Sequence, residues 1–210
     1  MLRFIYANDL ESFPKLADTM FRDRKAQFRD RLGWDVSVDE NGHERDGYDD
    51  QNPLYVIWQN ADGSHGGSLR LLPTTGPTMV NDHFSHLIGK GRIESPVIWE
   101  CTRFCLSRGA GPRVAAALML GGGEIMEQFG VEHFVGVFDA PMTRIYSRIG
   151  SPPKVLGASG IGRAKTSVGL WAFSAAARVR VARSAGLNPA LIRLWFDRSF
   201  GCASRAAMSA

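Results

Sequence analysis

Residues 97–106 read VIWECTRFCL. Seven of these ten side chains are apolar, and the β-branched and aromatic types among them favour a strand. So apolar a run belongs near the centre of a sheet covered on both faces. Two charges interrupt it, Glu100 and Arg103. In a regular strand, residues three apart point to opposite faces. A β-bulge would bring both to one face, and bulges cluster beside active sites. The alternative is an internal ion pair, a poor stabiliser next to apolar packing.

Reading outward from this strand gives the rest of the sheet. Arg108-Gly109-Ala110-Gly111-Pro112 is a tight turn that opens a helix over about 112–129. Phe134 to Phe138 is a strand, 140–149 a helix stopped by Gly150, and 153–158 and Gly169 to Ser174 are further strands. One or two helices follow from about 187. Upstream, Leu54 to Gln59 and Gly67 to Leu72 form a hairpin around Asn60-Ala61-Asp62-Gly63. Leu2 to Tyr6 is a first strand, and Asn8 or Asp9 caps a helix with Pro14 in its first turn. Leu16, Met20, Phe21, Phe28 and Leu32 follow at helical spacing, and Gly33 stops the helix. Residues 35–53 and 73–95 read as long irregular segments, a length that usually signals function. The element order implies an α/β protein with a mixed, mostly antiparallel sheet and helices on both faces.

At 210 residues, with 44% hydrophobic and 22% charged side chains, the chain suits one packed domain and excludes disorder or a collagen-like repeat. No apolar run approaches a membrane span, and the N-terminus MLRFIYANDLES has no signal-peptide core. Cys101, Cys105 and Cys202 lack zinc-ligand spacing and read as free thiols, so the expected compartment is the cytoplasm. Charge is asymmetric. The first 105 residues carry 12 basic and 16 acidic side chains, the other 105 carry 13 and 5. The basic half points to an acidic partner or to a solvated face.

Other polar residues sit where apolar ones belong. Arg24 lies between Phe21 and Phe28 on one helix face, either buried and paired or lying over the edge of the core. Asp46-Gly47-Tyr48-Asp49-Asp50 concentrates carboxylates in the long loop, but no EF-hand spacing follows. His83 and His86 have no third ligand and read as surface histidines, so no metal site is expected.

Together these residues resemble the LuxI-type acyl-homoserine-lactone synthases, the autoinducer synthase family. The matching stretches are FRDRKAQF at 21–28, Trp34, ERDGYD at 44–49, GSLRLLPT at 67–74, Asp82 with Phe84, and IWECTRF at 98–104. The family's characteristic positions fall on Arg24, Phe28, Trp34, Asp46, Asp49, Arg70, Glu100 and Arg103. The resemblance covers roughly residues 1–150. It implies a GNAT-like three-layer α/β/α sandwich whose twisted, mostly antiparallel mixed sheet is splayed at its centre, with a bulge on the strand at 97–106. The GNAT phosphate loop is only partly matched: Arg108 and Gly111 fit, but Arg113 replaces a small residue.

The implied reaction has two steps. The amine of S-adenosylmethionine attacks an acyl thioester on acyl carrier protein. The carboxylate then closes the lactone and expels methylthioadenosine, a quorum-sensing autoinducer being the other product. S-adenosylmethionine is a substrate, and no cofactor is expected. The resemblance makes Glu100, Arg103, Arg24, Asp46, Asp49 and Arg70 the catalytic set, with Glu100 the base, directly or through water. Backbone N–H groups at the bulge would meet the oxyanion. Phe28, Trp34, Asp46, Phe84 and Arg103 would bind S-adenosylmethionine. The alternative is that the arginines and aspartates mainly form a network that pins the N-terminal lid. The chain then divides into an adenosylmethionine side at 1–95 and an acyl and carrier-protein side at 96–210 of one domain. The position where the family places a threonine for 3-oxo chains falls near Phe138 or Asp139; no threonine is there, Thr143 is one helical turn on, and a 3-oxo chain is disfavoured. The small and flexible residues of 97–106, 114–126 and 134–149 leave room for a medium or long chain. Arg144, Arg148 and Lys154 form the expected docking patch for acidic carrier protein, with Arg178 and Arg180 as second choices.

Two rivals come from elsewhere. One is a GNAT-type N-acyltransferase using acyl-CoA. The other is a nucleic-acid module, since 175–198 has a helix–turn–helix pattern. Its basic residues are not gathered on the second helix, and Trp195 and Phe196 read as core, so neither nucleic acid nor membrane is an expected partner.

Overall fold

A computed structural model describes residues 1–89, 91–172 and 174–201. Cys202 lies outside them. The strands are β1 (Leu2–Tyr6), β2 (Leu54–Gln59), β3 (His65–Pro73), β4 (Ile98–Leu106), β5 (His133–Asp139), β6 (Lys154–Ser159) and β7 (Thr166–Ala172). The helices are α1 (Pro14–Lys25), α2 (Met79–His83), α3 (Pro112–Phe129), α4 (Ala140–Ile149), α5 (Ala175–Ala185) and α6 (Pro189–Ser199). One seven-stranded sheet runs β1-β2-β3-β4-β5-β7-β6. Every neighbouring pair is antiparallel except β4 with β5.

The strand period sorts the two layers. Leu54 and Val56 join Leu2, Phe4, Leu69 and Leu71 in a core shared with α3, α5 and α6. The intervening Tyr55 and Ile57 join Leu16, Met20 and Phe21 of α1 on the opposite face. β2 is therefore covered on both sides, as its unbroken apolar sequence requires.

The central strand behaves as expected in position but not in burial. β4 is fourth of seven, yet most of its side chains are only half-buried. The reason is the splay. β4 and β5 pair only at Ile98–His133, Trp99–Phe134 and Glu100–Val135. Beyond Glu100 the two strands lose their ladder, and a cavity opens between them. Gly136 is needed where they part: a Cβ there would stand 2.7 Å from the Cys101 carbonyl oxygen.

Several boundaries differ from the sequence expectation. The first helix does not continue unbroken to Leu32. It starts at Pro14, without an Asn8 or Asp9 cap, after a 3-10 turn at Ala7–Ser12. It then passes into a π-helical turn at Ala26–Arg31. Segment 73–95 holds α2 and a 3-10 turn at Ser85–Leu87. The last strand lies at Thr166–Ala172 rather than 169–174, and helix α5 occupies a stretch whose repeated Ala and Arg carry little amphipathic signal. α5 and α6 do resemble a helix–turn–helix, but Phe196 is core and Arg178 is tied to Glu124 and Glu127. No helix is long and apolar enough to cross a membrane among the described residues.

Candidate active site

A network of alternating charges fills the space between α1, the loop 34–53 and the α1 face of β3 and β4. Arg24, at the end of α1, donates to Glu44 at 2.6 Å and bidentately to Asp49 at 2.9 and 2.8 Å. Arg70 of β3 donates to Asp46 at 2.5 Å, to Asp49 at 2.8 Å and to the Thr102 hydroxyl at 3.1 Å. Arg103 of β4 donates to Asp46 at 2.6 Å and to Glu44 at 3.1 Å. The Tyr55 hydroxyl donates to Asp49 at 2.6 Å. Three guanidinium groups thus balance three carboxylates, which is what burial of so many charges demands. Burial by itself raises the Asp49 carboxyl, but Arg24 and Arg70 outweigh it and hold Asp49 far below the usual carboxylate range.

The β-bulge is present and does what the spacing of Glu100 and Arg103 suggested. Thr102 pairs with Arg70 and Cys105 with Ser68, so Arg103 and Phe104 oppose Leu69 alone. Arg103 takes φ 51°, a left-handed conformation rare for a non-glycine residue. The bulge turns Arg103 toward the face that carries Arg70 and Thr102. Its partners are Asp46 and Glu44, not Glu100, so the internal Glu100–Arg103 pair does not form.

Glu100, the candidate base, is engaged at the start of α2. It accepts the backbone N–H of Val80 at 2.5 Å and of Met79 at 3.1 Å, capping α2 in place of Thr78, whose hydroxyl makes no cap bond. Burial raises its carboxyl to about 7, against the pull of those two N–H groups. Its side chain is not among those lining the cavity; its neighbours Met79, Cys101 and Thr102 are. The Cys101 thiol is pushed up to about 12 by burial and is no nucleophile at neutral pH.

The cavity measures about 1200 Å³, more than one drug-sized ligand fills. It has two chemically distinct ends. At the first, the π-helical turn and the following loop set Phe28 and Trp34 ring to ring, with centroids 5.2 Å apart and planes 13° from parallel. Arg103 lies 5.4 Å over Phe28. Asp46, Tyr48, His83 and Phe84 complete this end. Tyr48 donates to Asp82 at 2.9 Å, tying the acidic loop to segment 73–95. The other end passes through the splay between β4 and β5. Met119, Met126, Phe138, Ile145, Tyr146 and Trp171 make it apolar.

The residues singled out from sequence therefore separate into two groups. Phe28, Trp34, Asp46, Phe84 and Arg103 line the cavity. Arg24, Asp49 and Arg70 do not; they are buried behind it and hold Asp46 and Arg103 in place. Glu44 was missed. It is fully buried between Arg24 and Arg103, and the excess of arginines over the two aspartates was the signal for it. Arg144, Arg148 and Lys154 are exposed on α4 and at the start of β6. The second-choice cations are occupied: Arg178 by Glu124 and Glu127, Arg180 by the Gly150 carbonyl.

The autoinducer synthase family profile aligns with residues 8–179. The chain belongs to the autoinducer synthase family. An acyl-homoserine-lactone synthase of Rhizobium etli is 43% identical, over 83% of this chain and 85% of that protein. The crystal structure of TofI in a ternary complex with an inhibitor and MTA superposes with a TM-score of 0.68 at 27% identity, covering 83% of this chain and 91% of TofI. BjaI, a CoA-dependent acyl-homoserine lactone synthase solved with SAM and isopentyl-CoA, reaches 0.79 at 23% identity, over 89% and 90% of the two chains, and shares the fold. A structure described as a putative N-acetyltransferase from Lactobacillus plantarum superposes with a TM-score of 0.54 at 16% identity, over 82% of this chain and 99% of that one, and shares the GNAT-like fold. As a family member the chain is an acyltransferase, an acyl-homoserine-lactone synthase.

Proposed function

We propose that this synthase transfers an acyl chain from acyl carrier protein to the amine of S-adenosylmethionine and then closes the lactone. The observation that carries this reading is the single cavity with one charged, aromatic end and one apolar end, meeting at the β4 bulge. S-adenosylmethionine occupies the first end as a substrate, with no resident cofactor. Its sulfonium and adenine suit the faces of Phe28 and Trp34 and the charge of Asp46. Arg103, on the cavity wall beside Asp46, takes the substrate carboxylate.

The amine nitrogen attacks the thioester carbonyl, the C–S bond breaks with its electron pair going to sulfur, and the carrier leaves as a thiolate that takes a proton from water. Backbone N–H groups at the bulge meet the oxyanion. The amine proton passes to Glu100, whose raised affinity for protons suits a base at neutral pH. Its oxygens face α2 rather than the cavity, so the transfer runs through an intervening water. In the second step a carboxylate oxygen attacks the γ-carbon. The γ-carbon–sulfur bond breaks, and methylthioadenosine leaves with the electron pair.

Carrier protein is favoured over CoA by Arg144, Arg148 and Lys154, exposed beside the apolar end and without an acidic partner among the described residues. A second reading, acyl-CoA as donor, is tested in the same assay. Purified protein is given S-adenosylmethionine with either acyl carrier protein or CoA thioesters, and thiol release is followed. Mass spectrometry of the products completes the test. Absence of any N-acyl homoserine lactone from both donors would sink the main reading. A much higher kcat/KM with acyl-CoA would reassign the donor.

A further inference from the structure

Helix α3 carries three consecutive glycines, Gly121, Gly122 and Gly123, in its interior. Glycine is the least favourable residue there after proline, so each position asks for a reason. Two have one in the packing. A Cβ on Gly121 would stand 2.7 Å from Val56 and 3.0 Å from Leu2, so α3 lies too close to β1 and β2 for a side chain. A Cβ on Gly122 would press against the Phe134 ring at 3.2 Å. Gly123 has none: a Cβ there meets nothing within 4 Å. The residue nevertheless lines the cavity, on the same helix face as Met119 and Met126. The next residue, Glu124, holds Arg178 of α5, which also lines the cavity.

We propose that Gly123 is the specificity-determining residue for acyl-chain length, and that its missing side chain admits the far end of a long, unbranched acyl chain. The inference rests on the acyl-transfer reading above. The helix forgoes the stability of a better residue at 123, and the only thing gained on the structure is open volume inside the cavity. Met119 and Met126, flexible and apolar, border that volume and adapt to a chain sliding between them. Arg178, pinned by Glu124 and Glu127, is the stop beyond it. Any side chain at 123 shortens the apolar arm without touching Asp46, Arg103 or the bulge.

The test compares wild type, Gly123→Ala and Gly123→Leu on hexanoyl and dodecanoyl thioesters of the preferred carrier. Each methylene excluded from an apolar pocket changes kcat/KM by about 10–200-fold. Wild type is expected to favour the dodecanoyl donor. Gly123→Leu should lower the dodecanoyl-to-hexanoyl ratio of kcat/KM by at least about tenfold, with Gly123→Ala in between. Melting temperature separates this from damage, because alanine at a helix interior should raise it. If Gly123→Leu is too unstable to assay, the alanine variant alone decides: a raised melting temperature with a lowered ratio supports the proposal. An unchanged ratio in a folded variant overturns it, as does a wild type that prefers hexanoyl. A wild type inert toward both donors overturns the acyl-transfer reading instead.

Discussion

Arg24 and Asp49, 25 residues apart in sequence, meet in a bidentate ion pair from which solvent is excluded. The pair joins the end of α1 to the loop that delivers Asp46, and Asp49 also accepts the backbone N–H of Asp46 at 2.9 Å. The cavity wall thus depends on a charge pair that never touches the cavity.

Removing one partner of a buried pair costs about 3–5 kcal/mol. Arg24→Ala leaves the three carboxylates to only Arg70 and Arg103, so denaturant unfolding should show a loss in that range. Arg24→Lys should restore only part of it, since one ammonium does not reproduce a fork of three hydrogen bonds. A wild-type unfolding midpoint in Arg24→Ala would contradict the network.

The same pair sets the acid limit. The folded-state Asp49 carboxyl lies below its ordinary value of 3.8, because Arg24 and Arg70 overcome the opposing effect of burial. A depressed carboxyl contributes stability that is fully present above the unfolded value and is lost as pH falls below it. Wild-type stability should therefore drop steeply below about pH 4, and Arg24→Ala should show a shallower slope. Urea titrations at a series of pH values read both.

Glu100→Gln removes the proposed base and leaves a side chain of the same shape. Because the carboxyl is raised to about 7, wild-type kcat should rise through neutral pH as it deprotonates. The variant should lose that limb and about 10²–10⁴ in kcat, with the KM for S-adenosylmethionine little changed. A pH profile that keeps its limb would confine Glu100 to capping α2.

Trp34 is 42% exposed, large and aromatic, and Phe28 backs it. Trp34→Ala should raise the KM for S-adenosylmethionine roughly tenfold, the scale of a stacking and cation–π contact together, while the thioester KM stays close to wild type. Initial-rate kinetics with each substrate varied in turn gives the answer.

At the other end, Arg144 and Arg148 share one face of α4. Arg144→Glu with Arg148→Glu should raise the KM for carrier protein and flatten its dependence on salt, since such charges steer encounter. An unaltered KM at low ionic strength would remove α4 from the interface.

Much of this was legible in the chain. The hairpin, the central strand and the helices over 112–129 and 140–149 announce themselves through local periodicity and turn residues, which need no partner to act. The bulge was readable too, because only an irregularity reconciles Glu100 with Arg103 on one face. Helix α5 was legible only as the first half of a helix–turn–helix pattern over 175–198: its stability comes from packing Val181, Ala182 and Ala185 against α3, and its own sequence shows little contrast between faces. The capping role of Glu100 was hidden because its partners, Met79 and Val80, lie 21 and 20 residues away in a segment without periodicity.

The sequence by itself determined which residues carry charge into apolar surroundings, and hence which had to find partners. It did not determine the pairing. Arg24, Arg70 and Arg103 each face a choice among Glu44, Asp46 and Asp49, and nothing local to any of them prefers one. Tertiary structure decides, because the guanidinium of Arg24 at the end of α1, that of Arg70 on β3 and that of Arg103 on its bulge point at different sides of one loop. Burial then makes every unpaired charge too costly to keep, so the arrangement that satisfies all six at once prevails. The open space at Gly123 has the same origin: a glycine is written in the sequence, but only the splay of β4 from β5 turns its missing side chain into volume.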